Sequence, residues 1–158
     1  MHGLRPRPRT RRRGFTLIEL AIAMVVLAIL AAVALPMFTG SIRKSRRSDA
    51  FAALTAVQQA QERWRNGHSS YASDSLLTTA APDGLGLSAT SSSGYYGIAI
   101  TSADATGYVL TATAVSGKSQ AQDANCQVMS VRAQGGNLDY GSGASSATYP
   151  DANSCWAR

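Results

Sequence analysis

The sequence predicts an α+β fold: one long N-terminal helix, apolar all round in its first half, packed through its second half on a small antiparallel sheet. Three observations carry this. Residues 15–38 are apolar almost without a break; beyond them apolar and small residues recur at helical spacing; and the C-terminal half holds short segments rich in aromatic and β-branched residues.

The first element is G-F-T-L-I-E-L-A-I-A-M-V-V-L-A-I-L-A-A-V-A-L-P-M-F, Gly14 to Phe38. At about 1.5 Å per residue a helix over residues 15–38 spans roughly 36 Å, enough for a hydrocarbon core of about 30 Å. One residue inside it is wrong for lipid. The carboxylate of Glu19 would cost about 2.5–3.5 kcal/mol near a bilayer centre, so its presence needs a reason. Before this run stand Arg5, Arg7, Arg9, Arg11, Arg12 and Arg13, six of the 15 basic residues. They read as a topology signal that holds the N-terminus in the cytoplasm. Without residues 1–14 the chain has nine basic and nine acidic groups, so the formal charge of +6 belongs to the leader. Nucleic-acid binding is therefore not supported by the mature charge.

The second element continues the helix. Ala50, Ala53, Leu54, Val57, Ala60 and Trp64 form one stripe, with Arg46, Arg47, Gln59, Glu62 and Arg63 on the opposite face. Asn66-Gly67 is the expected stop, glycine most easily taking the left-handed conformation past a helix end. Strands are expected at Tyr95 to Thr101, Tyr108 to Val115 and Gln127 to Ala133, with a short fourth near Leu138 to Tyr140. Gly67 to Gly94 and Gly135 to Pro150 read as long loops. Cys126 and Cys155 follow the membrane run on the side that this orientation makes oxidising. A disulfide is the first reading, two unpaired apolar thiols the second, and two cysteines with no histidine nearby do not complete a tetrahedral metal site.

The junction R-R-R-G-F-T-L-I-E-L resembles the processing site of a type IV prepilin, and the order of helix, variable loop, sheet and cysteine-bounded C-terminal loop resembles the pilin fold. The resemblance implies cleavage between Gly14 and Phe15 by a prepilin peptidase, which also methylates the new amine of Phe15. It implies that Glu19 pairs with the N-terminal amine of a neighbouring subunit, and that Pro36 kinks the helix. The organisation it gives is a leader (1–14), a transmembrane and filament-core helix (15–38) and a periplasmic head (39–158) that includes the amphipathic half of the helix. The partners it implies are other pilins, the peptidase/methyltransferase and the inner-membrane assembly machinery; the chain would sit in the inner membrane before entering the extracellular pilus. R-K-S-R-R-S-D-A, Q-E-R-W with Tyr71, Q-A-Q-D-A-N-C and Cys155-Trp156 further resemble the minor pilins.

Other chemistry finds little to rest on. His68, beside Ser69 and Ser70, lacks an orienting third group for nucleophilic catalysis. Gly84-Leu85-Gly86 lacks the strand and helix of a phosphate loop, and the aspartates at 74, 83, 104, 123, 139 and 151 have no calcium-loop spacing. No enzyme, cofactor or metal is expected. Arg43, Lys44, Arg46 and Arg47 read either as contacts to lipid headgroups and neighbouring heads or as a solvated helix face. Two alternatives remain: a type II secretion pseudopilin, and a soluble periplasmic binding protein released by cleavage after Ala32-Val33-Ala34.

Overall fold

The computed structural model of the protein describes residues 14–156, so the arginine-rich leader lies outside the described residues. The chain divides into two units between Phe38 and Thr39. In order its elements are α1 (Leu17–Arg65), a 3-10 turn (Asp74–Leu76), β1 (Tyr96–Ala103), β2 (Gly107–Ala114), a second 3-10 turn (Ser119–Gln122), β3 (Val128–Gln134) and β4 (Asn137–Gly143).

In the first unit every large apolar side chain from Phe15 to Phe38 is exposed, between 49% and 88%. Helical assignment runs on through Pro36, where the missing N–H leaves the Ala32 carbonyl without its usual helical donor.

In the second unit the stripe of α1 is buried as its spacing requires. Ala50, Leu54, Val57 and Ala60 are at most 3% exposed, and Ala53 and Trp64 are half-buried beside them. They meet one face of a four-stranded antiparallel sheet of order β1-β2-β3-β4. Alternation supplies that face: Tyr96, Ile98 and Ile100 from β1, Tyr108, Leu110 and Ala112 from β2, Met129 and Val131 from β3. The register holds Leu110 between Ile100 and Val131, and a bulge follows Ile100 in β1.

Two local expectations are corrected and one is filled in. The fourth strand is seven residues long and runs the length of β3, from Asn137↔Gln134 to Val128↔Gly143, so residues 135–150 are not one loop. Gly135 and Gly136 make the connection, both with positive φ (57° and 84°), the geometry of a two-residue hairpin turn whose twist matches the strands. The 67–94 segment is the expected connecting loop, broken by one 3-10 turn and packed on the core. Ala72, Leu77 and Leu85 enter the core, and Gln61, wholly buried on α1, accepts from the Ala72 N–H and donates to the Ala72 carbonyl, both at 2.8 Å. Finally, Gly67 does not take a left-handed conformation. Its N–H bonds Trp64 O at 3.1 Å, and His68 donates to the same carbonyl from Nδ1 at 2.9 Å, so a side chain satisfies the helix end instead.

Candidate functional site

The residues singled out in the sequence fall at separate places. At the start of α1, Thr16 Oγ1 accepts the N–H of Glu19 at 3.2 Å. Thr16 is the residue before the first helical position and Glu19 stands three further on, the spacing of a capping box, and a carboxylate in the first turn also complements the helix dipole. Glu19 thus has a local role that the sequence offered in T-x-x-E and that was not read from it. Gly14 precedes the helix, and no heavy atom approaches the space where a side chain would stand.

The second place lies just past the apolar run. Arg43 donates to the Gln122 carbonyl and to Gln122 Oε1 at 3.1 and 2.9 Å, and Arg46 donates to the Ser119 hydroxyl. Arg47 grips Asp123 with both arms, Nε to Oδ2 at 2.8 Å and Nη2 to Oδ1 at 2.9 Å, with both side chains largely buried. The hydrogen bond to Asp123 raises the guanidinium pKa further, against the opposing effect of burial. Gln120, fully buried, donates to the same carboxylate at 2.8 Å. The solvated-face reading does not hold for these three arginines, because the β2–β3 connection folds back onto the helix and bonds them. Arg46 also lies over the Tyr95 ring at 4.6 Å, with Lys118 at 5.9 Å from the same ring.

The third place is the C-terminal closure. Cys126 and Cys155 form a disulfide, and the unpaired alternative falls. Trp156 next to it packs edge-on against Phe51 of α1 and against Tyr140 of β4, both at 4.7 Å, and donates from Nε1 to the Gly141 carbonyl at 2.8 Å. Asp151 gathers this turn, accepting from the Ser142 hydroxyl and from the N–H groups of Asn153 and Trp156. Burial pushes its pKa up, but those hydrogen bonds outweigh burial and leave it lowered.

The other aspartates serve local structure. Asp74 accepts the Ile100 N–H at 2.7 Å, and Asp139 pairs with Arg132 at 2.8 Å. Asp104 closes the β1–β2 turn, its pKa lowered by the Thr106 hydroxyl and by the N–H groups of Thr106 and Gly107. Asp49, buried on α1, is pushed up by desolvation and pulled down further by hydrogen bonds from the Ser91–Ser93 turn, for a net lowering. Tyr96 is buried beside this network, and desolvation raises its pKa to about 12. His68 stacks flat on Trp64 at 3.6 Å. Among the described residues no group of three His, Cys, Asp or Glu is placed to hold a metal ion.

An apolar helix that continues into an amphipathic one, a four-stranded antiparallel sheet on its stripe, and a disulfide near the C-terminus together define a pilin. The family described as type IV minor pilin ComP, DNA uptake sequence receptor, matches residues 36–130, and the prokaryotic N-terminal methylation motif matches residues 9–35. The chain belongs to this type IV minor pilin family. It is 36% identical over 102 residues to fimbrial protein EcpC of Eikenella corrodens, covering 65% of this chain and 62% of that protein. It is 46% identical over 52 residues to the type IV major pilin protein PilA of Myxococcus xanthus (strain DK1622), covering 33% of this chain and 24% of that one. The chain thus aligns with about three fifths and one quarter of these relatives' lengths. Members of the family are structural subunits, and the methylation motif with the apolar helix marks a membrane-anchored pilin.

Proposed function

We propose that the protein works by assembly and not by catalysis: it is cut between Gly14 and Phe15, methylated on Phe15, held in the inner membrane by residues 15–38, and then drawn into a pilus beside other pilins. The observation that carries this is the first half of α1. Among the described residues its large apolar side chains are 49–88% exposed, a surface that a lipid surround covers before assembly and a bundle of like helices afterwards. That exchange of one apolar environment for another is close to neutral, so direction comes from helix packing and from Glu19 meeting a neighbour's N-terminal amine. Pro36 is the point where this helix is freest to bend. Mass spectrometry of the mature N-terminus tests the reading: methylated Phe15 is expected, whereas a chain beginning at Leu35 would mean a discarded signal peptide and overturn it.

A second activity is favoured by one local feature. The family's description names a DNA uptake sequence receptor, and its match includes Arg46 and Lys118, both beside the Tyr95 ring, and the neighbouring bases Arg43 and Lys44. Net neutrality of the mature chain lends no support to DNA binding, but the charges are segregated. Residues 39–66 carry six bases against two acids, and residues 67–158 carry three against six. Cations gathered beside a partly exposed tyrosine suit the phosphate backbone. Binding of a DNA duplex should weaken steeply with salt, and Lys118→Ala should reduce both affinity and the salt slope. Equal binding by the variant would remove this reading and leave the assembly reading untouched.

A further inference from the structure

The two edges of the sheet are finished differently. Along β1 the outward N–H groups of Tyr96, Ile98 and Ile100 are taken, by the Ser91 hydroxyl, the Ala89 carbonyl and Asp74, and the Tyr96 carbonyl accepts from Ser91 N–H. β4 is covered only at its far end, where Thr148 bonds Ser142 and Trp156 reaches Gly141. Because a two-residue hairpin makes its flanking residues a bonded pair, Asn137, Asp139 and Gly141 turn their backbone groups to β3, and Leu138 and Tyr140 turn theirs outward. No hydrogen bond among the described residues occupies these outward groups. The same two residues are 50% and 41% exposed, and among the described residues they are the exposed large apolar side chains outside residues 15–38. Both stand on the helix-facing side of the sheet, opposite Ala133 and Val131, with Trp156 against one side of the Tyr140 ring. A cleft of about 550 Å3 lies there between β4 and the flank of α1, with Gln58, Glu62, Tyr71 and Tyr108 in its wall.

We infer that the Leu138–Tyr140 edge is a docking site for an extended strand of another protein, one that places apolar side chains at alternate positions over Leu138 and Tyr140 and carries a base that reaches Glu62. An unfinished edge supplies backbone bonds, and the cleft beside it supplies pockets for alternate residues, which are the two parts of recognition by strand addition. Continuity argues for it, since the chain's own Thr148 already adds to this edge one outward position further along. Charge names the occupant. The cleft wall holds one carboxylate, Glu62, to which the Tyr108 hydroxyl donates at 3.4 Å, and it holds no base. A second copy laid edge to edge would bring a like-charged wall and Asp139 against Asp139, so charge disfavours self-pairing.

The test uses the full chain in detergent micelles, isotope-labelled for amide exchange, with a blocked hexapeptide of alternating valine and threonine carrying a lysine at each end. Expected is at least tenfold slower exchange at the Leu138 and Tyr140 amides and none at Asp139, whose amide is already in the β3 ladder. Glu62→Gln should weaken the peptide about three- to tenfold, and N-methylation of alternate peptide amides should abolish the protection. Unchanged Leu138 and Tyr140 amides at saturating peptide would overturn the proposal. So would equal binding of the N-methylated peptide, or protection that appears without peptide and rises with protein concentration, which would mean pairing of two copies.

Discussion

The two halves of α1 share one secondary structure and differ in where their contacts are found. Residues 17–38 expose their apolar surface on every side, and their polar device, the Thr16–Glu19 cap, is spent within one turn. Residues 39–65 expose little that is apolar and send polar side chains across the head, Arg47 to Asp123 and Gln61 to Ala72. On the proposed reading the first half is completed by other molecules, whereas the second is completed by its own chain. Damage to the first should therefore appear in assembly with folding intact, and damage to the second in folding.

Glu19→Leu should break the comparison on the assembly side with the largest effect. It should insert in the membrane at least as well as the parent, since a costly charge is gone, yet its amount in sheared pili relative to the membrane pool should fall by tenfold or more. Equal incorporation would reduce Glu19 to a helix-capping residue. Arg47→Leu is the matching change in the second half. It strands a buried carboxylate, and the head should lose about 3 kcal/mol in denaturant unfolding while membrane insertion stays as it was. Gln61→Leu keeps the volume but leaves the Ala72 N–H and carbonyl without partners, a loss of about 2 kcal/mol. Acid sharpens the contrast least. Asp49, Asp104 and Asp151 titrate below the ordinary aspartate value in the folded head, so they favour folding above about pH 4, and that contribution is lost as pH falls through their lowered values. The head's melting temperature should fall between pH 5 and pH 3, by about 2–4 °C for each kcal/mol lost. No change over that range would show that these carboxylates are not preferentially ionised in the fold.

What was legible in the sequence follows the same division. Residues 15–38 announce themselves by composition alone, and the Ala50–Trp64 stripe by a period that only a helix has. β1, β2 and β3 were found within a residue or two because aromatic and β-branched residues gather there. β4 was almost missed: N-L-D-Y-G-S-G has little strand propensity and forms because Gly135-Gly136 turns the chain back onto β3. That glycine pair was the available signal. The Arg47–Asp123 pair had none, its partners standing 76 residues apart, whereas Gln61 falls on the stripe, four residues after Val57, and its polar character hid a position that the period marks as buried.

The cap at Thr16 has a consequence for the chemistry of cutting. The Thr16 carbonyl is the first acceptor of α1, taking the Leu20 N–H at 3.2 Å, so the peptide bond between Gly14 and Phe15 lies ahead of the helical ladder. A peptidase needs its substrate extended, and here it need unwind nothing. If the chain is cut there as proposed, hydrolysis would leave Thr16 Oγ1 on the Glu19 amide, so precursor and mature chain would share one helix start. The new amine would then stand two residues outside the first turn, on a short tether ahead of the cap.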